Sequence, residues 1–488
     1  MKESASPLAA GACIIQDVER SRSFRKLFFP VLICLGLLGL ILTPRPLAGL
    51  FDRERAGRAM LSGSYSQAAS DFAAAAERLP WQPSLWERAG IAAVMAGQPR
   101  EAIAFLETAQ ARGSISAWGW IYLGMAYDQA GNLSAGMAAW QRALPLAEAF
   151  GNLGKAEQRL GDFPAAIADW RASLAQEPDS AAGHYNLGLL LATTDPAAAY
   201  PELQQAASLN PDLQAPIESL HADMDLALLS EDRAYQLVVA GRALAAAGYW
   251  DLAAEAFRNA TAARGDYAEA WAWLGEACQH LGQEGGADIE KAVALDPNSA
   301  LVQSLAGIYW QRQGQTGAAL AAFRKAADLD PQNAAWQVAL GSVYEQAGDL
   351  VSALDHYGQA VTLAPQDAST WKALAAFSVN NSVDVAGTGF PAAQKLLALA
   401  PDDWQARDLA GQATLDQGNR RDAEQQFLIA IGLAPAQAAP HLHLAWVYLL
   451  GGDLVSAQDQ LFKAHSLDPD GSSGWQAQRL LDQYFPGP

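Results

Sequence analysis

Beyond residue 50 the chain alternates short stretches in which apolar residues recur at i, i+3, i+4 and i+7, the spacing that lays one apolar stripe along a helix. The stretches are punctuated on a ruler. Read back from the C-terminus, Pro469, Pro435, Pro401, Pro365, Pro331 and Pro297 fall at intervals of 34, 34, 36, 34 and 34 residues. Each interval predicts two amphipathic helices, as in AAWQVALGSVYEQAGDLVSALDHYGQAVTLAP over 334–365. The first helix runs to a glycine (Gly131, Gly161, Gly348, Gly418, Gly452) able to take the left-handed conformation that ends a helix. The next residue (Asn132, Asp162, Asp349, Asn419, Asp453) carries a short side-chain oxygen that can N-cap the second helix. A proline shortly after that second helix stops it and re-aims the chain.

The ruler places units at 49–82, 83–116, 117–146, 147–180, 181–213, 234–267, 268–299, 300–333, 334–367, 368–403, 404–437 and 438–471. Two blocks result, 49–213 with five units and 234–471 with seven. Between them DLQAPIESLHADMDLALLSED over 212–232 predicts an extra linker helix, assigned to 214–232, where the array can bend. The unit at 268–299 is two residues short at GQEGGADIE, and 368–403 has FSVNNSVDVAGTGFP in place of a clean turn, so both predict irregular loops. Within the tail 472–488, Trp475 to Phe485 reads as a last amphipathic helix covering the apolar face of the twelfth unit, the kind of cap that stacked repeats need.

The N-terminus follows another pattern. After a tail over 1–26, the run LFFPVLICLGLLGLIL carries no charge, and residues 27–43 with the stems of Arg25 and Lys26 approach the roughly 20 residues that cross a bilayer. A transmembrane helix is expected there, not a cleaved leader, because TPRPLAGLFD offers no clean small-x-small cleavage site. Arg20, Arg22, Arg25 and Lys26 precede the span, and Arg45, Arg53, Arg55 and Arg58 follow it. The closest pair, Arg25 and Lys26, lies on the N-terminal side, and acidic residues do not oppose export. The expectation is a cytoplasmic N-terminus and an extracytoplasmic body.

Charge and cysteine content narrow the function. Of the net charge of −20, residues 1–50 contribute six Lys/Arg against three Asp/Glu, leaving 26 against 49, or −23, for the remainder. Such a surface repels nucleic acid, which is excluded as a partner. Cys13 and Cys34 belong to the N-terminal segment, so Cys278 is alone in the body and no disulfide can form there. No phosphate-cradling G-x-x-x-x-G-K-[ST], no G-x-S-x-G and no cysteine pair at metal spacing occurs. His441 and His443, two apart on a helix, point about 200° from one another and do not share a metal. No metal, no cofactor and no catalytic activity are expected.

The repeat resembles the tetratricopeptide repeat, whose pattern sets an aromatic residue, a Leu-Gly pair and a Tyr on the first helix and Ala, Phe/Tyr, Ala and Pro on the second. The match is carried by Trp120, Leu123, Gly124, Tyr127 and Trp140; by Leu340, Gly341, Tyr344, Ala353, Tyr357, Ala360 and Pro365; and by Leu444, Tyr448, Ala457, Ala464 and Pro469. The resemblance implies an all-α fold, a right-handed superhelical solenoid of about 12 helix-turn-helix repeats, which the apolar N-terminal run would precede with one transmembrane helix. It also implies that partners lie along the concave surface of the first helices. In the first five units that face reads Glu87, Ile91, Val94 and Met95; Trp118, Ile121, Met125 and Asp128; Lys155 and Arg159; Tyr185 and Leu189. In the later units it reads Arg242, Glu276, Gln279, Ile308, Arg312, Val338, Glu345 and Gln346, then Lys372, Asp408, Gln412, Leu442 and Trp446. Trp118, Met125 and Tyr185 are the expected anchors for an extended or helical peptide. Lys155, Arg159 and Asn186 approach, without reproducing, the basic set with which some members of the family grip a C-terminal carboxylate. Trp86, Trp120, Trp140, Trp170 and Trp371 fall on interhelix core positions.

The resulting expectation is a membrane-anchored scaffold for protein or peptide partners, serving assembly or secretion at the cell envelope. Two alternatives stand beside it: an accessory protein for glycan binding or assembly, and a cytoplasm-facing docking receptor for chaperones or precursors.

Overall fold

The computed structural model describes residues 44–486, and the expected N-terminal tail, transmembrane helix, Cys13 and Cys34 lie outside them. Among the described residues every regular element is helical, and no helix is long and apolar enough to cross a membrane. The chain divides into two compact units at residues 221 and 222.

In the first unit α1 (Pro44–Leu61) pairs with α2 (Tyr65–Arg78), α3 (Ser84–Met95) with α4 (Pro99–Ala111), and α5 (Ala117–Gln129) with α6 (Leu133–Ala143). Then α7 (Ala147–Leu160) pairs with α8 (Phe163–Gln176), and α9 (Ala181–Ala192) with α10 (Pro196–Leu209). The first helix is described from Pro44, five residues ahead of the ruler, and Pro46 near its start is tolerated because its missing N–H would have no helical partner there. A 3₁₀ turn over Pro211–Leu213 leads into α11 (Gln214–Ala227), whose span contains the division between the units.

The second unit continues with the pairs α12 (Arg233–Ala246) and α13 (Trp250–Ala263), α14 (Ala268–His280) and α15 (Gly286–Leu295), and α16 (Ala300–Arg312) and α17 (Thr316–Leu329). Next come α18 (Ala334–Gln346) with α19 (Leu350–Leu363), α20 (Ala368–Asn380) with α21 (Phe390–Leu399), α22 (Trp404–Asp416) with α23 (Arg420–Leu433), and α24 (Ala438–Gly451) with α25 (Leu454–Leu467). Finally α26 (Ser472–Tyr484) packs on both α24 and α25, burying Ala477, Leu480 and Leu481.

The turns form as their residues dictate. Gly131, Gly161, Gly348, Gly418 and Gly452 all take φ between 78° and 82°. The following Asn or Asp accepts a hydrogen bond from the backbone N–H three residues on in each case, satisfying one of the donors a helix start leaves orphaned. Pro297, Pro331, Pro365, Pro401, Pro435 and Pro469 each stand two residues beyond the last residue of a second helix.

The Leu-Gly pair has a packing cause. A Cβ built on Gly307 would lie 2.7 Å from Phe323, on Gly341 2.9 Å from Tyr357, and on Gly411 2.6 Å from Phe427, so the glycine is the space into which the ring of the second helix fits. Close approach of the two helices thereby buries Phe323 and Phe427 to 1% or less exposure. Trp86, Trp140 and Trp170 are buried as expected, whereas Trp371 is half-buried and its Nε1 donates to the Pro365 carbonyl at 3.0 Å. The same reach, six residues back onto the loop, is made by Gln303 to Pro297 at 2.9 Å and Arg407 to Pro401 at 2.8 Å. In these three repeats that position of the first helix ties the repeat to its preceding loop.

The repeat at 368–403 is the irregular one. Where other turns carry glycine, Ser382 stands at φ 54°, Asp384 follows at φ 43°, and a π-helical turn over Val385–Gly389 absorbs the two extra residues.

Candidate functional site

The first helices of the last repeats present one common face. Residues near the start, middle and end of α20, α22 and α24, together with the first turns of α26, line a cavity of about 620 Å³ and a second of about 490 Å³. The two share Val379, Gln412, His443 and Gln476, so they form one groove running along the helices within the second unit. Lys372, Trp404, Gln405, Ser472 and Ser473 line the end formed by helix starts. Leu415, Asp416, Trp446 and Leu450 line the end formed by helix termini.

Most charges in the groove are already paired. Lys372 Nζ lies 3.2 Å from Asp403 Oδ2 and donates also to Gln405. Asp408, deeply buried, has His443 Nδ1 at 2.8 Å from one oxygen and Gln412 Nε2 donating to the other at 2.9 Å. His441 faces the opposite way, with Nδ1 2.6 Å from Gln460 Oε1. Asp416 has no ion-pair partner among the described residues, and partial loss of water against the groove wall pushes its carboxyl up from the ordinary range.

Elsewhere on the first helices the expected site residues separate into several groups. In the first unit Met95 and Trp118 are exposed, Trp118 by 52%, while Ile91, Met125 and Tyr185 are half-buried and Met125 packs on the core. Ile121 and Leu189 require correction: they are 1% and 4% exposed, and Ile121 packs against Ala143 and Ala149 of the following helices, so neither is available to a partner. Arg159 Nη1 bridges to Asp128 Oδ1 at 2.7 Å. Lys155 lies over the Trp170 ring at 5.8 Å, and Asn186 Nδ2 donates to Ala182 of its own helix at 2.7 Å, so these side chains do not converge into a carboxylate clamp.

In the second unit Arg242 lies over Trp273 at 5.6 Å. Arg312 Nη1 reaches both oxygens of Glu276 at 2.8 Å and Gln279 Oε1 at 2.9 Å, with His280 Nε2 3.1 Å from the same glutamate. Glu345 accepts from Tyr357 Oη at 2.8 Å and from Asn381 Nδ2 at 2.7 Å, while Gln346 is exposed. Arg159 to Asp128, Arg312 to Glu276 and Asn381 to Glu345 join residues 31 to 36 positions apart, so the polar face acts as a brace between successive repeats. Sequence reasoning placed Lys372, Asp408, Gln412, Leu442 and Trp446 on this face. It missed Ser472, Ser473 and Gln476, whose polar character within an amphipathic terminal helix was the available signal.

Sequence comparison matches residues 152–213, 238–300, 305–368 and 409–472 to the tetratricopeptide repeat. No curated protein matches the sequence. Among solved structures the chain is similar to the APC/C hetero-tetramer Cut9–Hcn1 at 14% identity and TM-score 0.44, over 88% of this chain and 95% of that one. It is similar to yeast Tom70 at 14% identity and TM-score 0.41, over 89% and 95%. It is similar to pilF of Pseudomonas aeruginosa at 18% identity and TM-score 0.37, over 44% and 99%.

Proposed function

The chain belongs to the tetratricopeptide repeat family, a fold that serves as a scaffold for protein–protein interaction, and from that footing we propose that it is a non-catalytic, membrane-tethered scaffold holding an extended segment of a partner protein in the groove bounded by α20, α22, α24 and α26. The observation that carries this reading is the continuity of the two cavities along the first helices, with exposed Trp446 and Leu450 beside the hydrogen-bonding Gln412 and Gln476. Apolar anchors flanked by amide groups suit a polypeptide, whose backbone and side chains need both kinds of contact. A photo-crosslinking residue at position 446 tests it, with Val455 as an exposed control. Polypeptide adducts are expected from position 446 and not from position 455; no adduct, or equal adducts from both, refutes the groove.

Tethering rests on the uncharged run within residues 27–43, and an outward-facing body serving envelope assembly or secretion rests on the placement of Arg25 and Lys26. Membrane fractionation tests the tether, and protease added outside intact cells tests the side: digestion of the body supports the outward reading, and protection places it in the cytoplasm. Trp404 and Trp446 in the groove wall favour a second reading, stacking of a glycan on indole rings. Saturable oligosaccharide binding without polypeptide adducts would select it.

A further inference from the structure

Asp416 is placed against local electrostatics. It is the last residue of α22, at the negative pole of the helix dipole, where a cation is the favoured side chain. The last turn of α22 carries no Lys, Arg or His. At the equivalent end of α24 a cation is supplied by Arg420, whose Nη1 donates to the Leu450 carbonyl; it makes no ion pair with Asp416. Of the other groove charges, Lys372 is paired with Asp403, and Asp408 is hydrogen-bonded by His443 and Gln412. At this end of the groove Arg420 is engaged by the Leu450 carbonyl, and Asp416 itself has no ion-pair partner among the described residues. Around it, residues 222–488 carry 31 Asp/Glu against 15 Lys/Arg, a net of −16 out of the chain's −20. An acidic body of that size attracts cationic partners and repels acidic ones before contact.

Resting on the groove as a peptide site, we infer that its Asp416 end receives a Lys or Arg side chain of the partner, with a neighbouring apolar residue against Trp446 and Leu450. The bound segment is thus a cationic one, not an acidic or carboxylate-terminated one. Leu415 and Leu450 offer surface to the aliphatic stem, and the Trp446 indole offers a face to the charge or to the apolar neighbour. Asp416 is solvated in the free protein, so a ligand that covers it without a matching charge removes its hydration and replaces it with nothing, which disfavours uncharged and acidic segments.

The test is a library of random octapeptides, displayed between fixed flanks so that neither terminus is free, selected on the full chain. The selected pool is expected to be enriched in Lys or Arg beside Leu, Phe or Trp. The leading synthetic peptide, followed by fluorescence anisotropy, should lose about tenfold in affinity on Asp416→Asn, the usual effect of deleting one charge-assisted contact. Replacing its cation with Gln should cause the same loss on the wild type and no further loss on Asp416→Asn, so that the two changes form a coupled cycle. Asp416 is exposed, so this substitution leaves the fold intact. A pool without basic residues that Gln412→Arg still displaces overturns the cationic assignment while leaving the groove standing. A pool indifferent to Gln412→Arg overturns the groove itself.

Discussion

Alanine is the best helix former and glycine among the worst, so replacing a mid-helix glycine by alanine ordinarily stabilises a helix by about 1 kcal/mol. Gly307→Ala should do the reverse. Its Cβ would stand 2.7, 2.7 and 2.8 Å from Cδ1, Cε1 and Cζ of Phe323, against a preferred carbon–carbon separation of roughly 3.5–4.0 Å. The ring would have to retreat by about 1 Å, yet it is 1% exposed and has nowhere to go. Overpacking of this kind costs about 1–3 kcal/mol, and a fully enclosed ring belongs near the upper end. Less the propensity gain, the net is a destabilisation of about 2 kcal/mol. Gly358→Ala is the control, since that glycine lies inside α19 with nothing within 4 Å and should gain about 1 kcal/mol. Repeat arrays do not unfold in one step, so a global melting curve would blur both effects. Hydrogen exchange read by mass spectrometry resolves them: peptides from α16 and α17 should exchange about 30-fold faster in Gly307→Ala, and peptides from α19 about fivefold slower in Gly358→Ala. Unchanged or increased protection in Gly307→Ala would refute the claim that helix approach, not helix propensity, dictates this glycine.

Three further outcomes use the same readout. Arg312→Ala leaves the buried Glu276 carboxylate without its two 2.8 Å contacts to Nη1 and should weaken α14 and α16 by about 2 kcal/mol. Ser382→Gly relieves a left-handed non-glycine residue and should slow exchange at the α20–α21 turn by about fivefold, a gain of about 1 kcal/mol. Burial, with Asp169 and Asp162 nearby, pushes the Glu157 carboxyl from an ordinary 4.5 to about 7, so the folded state holds this proton more tightly than the unfolded one. Stability of α7 and α8 should fall as pH rises from about 4.5 to about 7 and level off above, and Glu157→Gln should flatten that profile; an unchanged profile would show that Glu157 is not its source.

What could be read from the chain alone follows how local the physics is. Gly161 ending α7 and Asp162 capping α8 are decided by two adjacent residues, and the ruler of prolines repeats that decision along the chain. Ile121 and Leu189 defeat the same reading. Their register puts them on the inner face, yet they are 1% and 4% exposed, and Ile121 packs on Ala143 and Ala149 of the next two helices, whose small side chains allow the close approach. Arg159 to Asp128 and Arg312 to Glu276 are likewise illegible, since a bridge across 31 or 36 residues depends on the rotation between repeats, which no single repeat encodes.

The groove shows how those two levels meet. Its irregular border is legible as a broken turn at 381–389, yet that this break stands beside the groove is a property of stacking: Ser382 lines the same cavity as Asp416, Trp446 and Leu450. A glycine at that position would satisfy the backbone more cheaply, as Gly418 does one repeat later with φ 82°. The chain thus keeps two departures from local preference, a left-handed serine and an unpaired acid at a helix C-terminus, against one cavity, and strain concentrated in this way marks a surface selected for something other than stability. If that is so, Ser382→Gly and Asp416→Asn should part company in the binding assay. The first should raise local protection with little change in affinity for a cationic peptide, because it alters the turn and removes no charge. The second should leave protection unchanged and cost the tenfold in binding. Equal losses in affinity from both would mean that the turn's conformation, and not the Asp416 charge, shapes recognition.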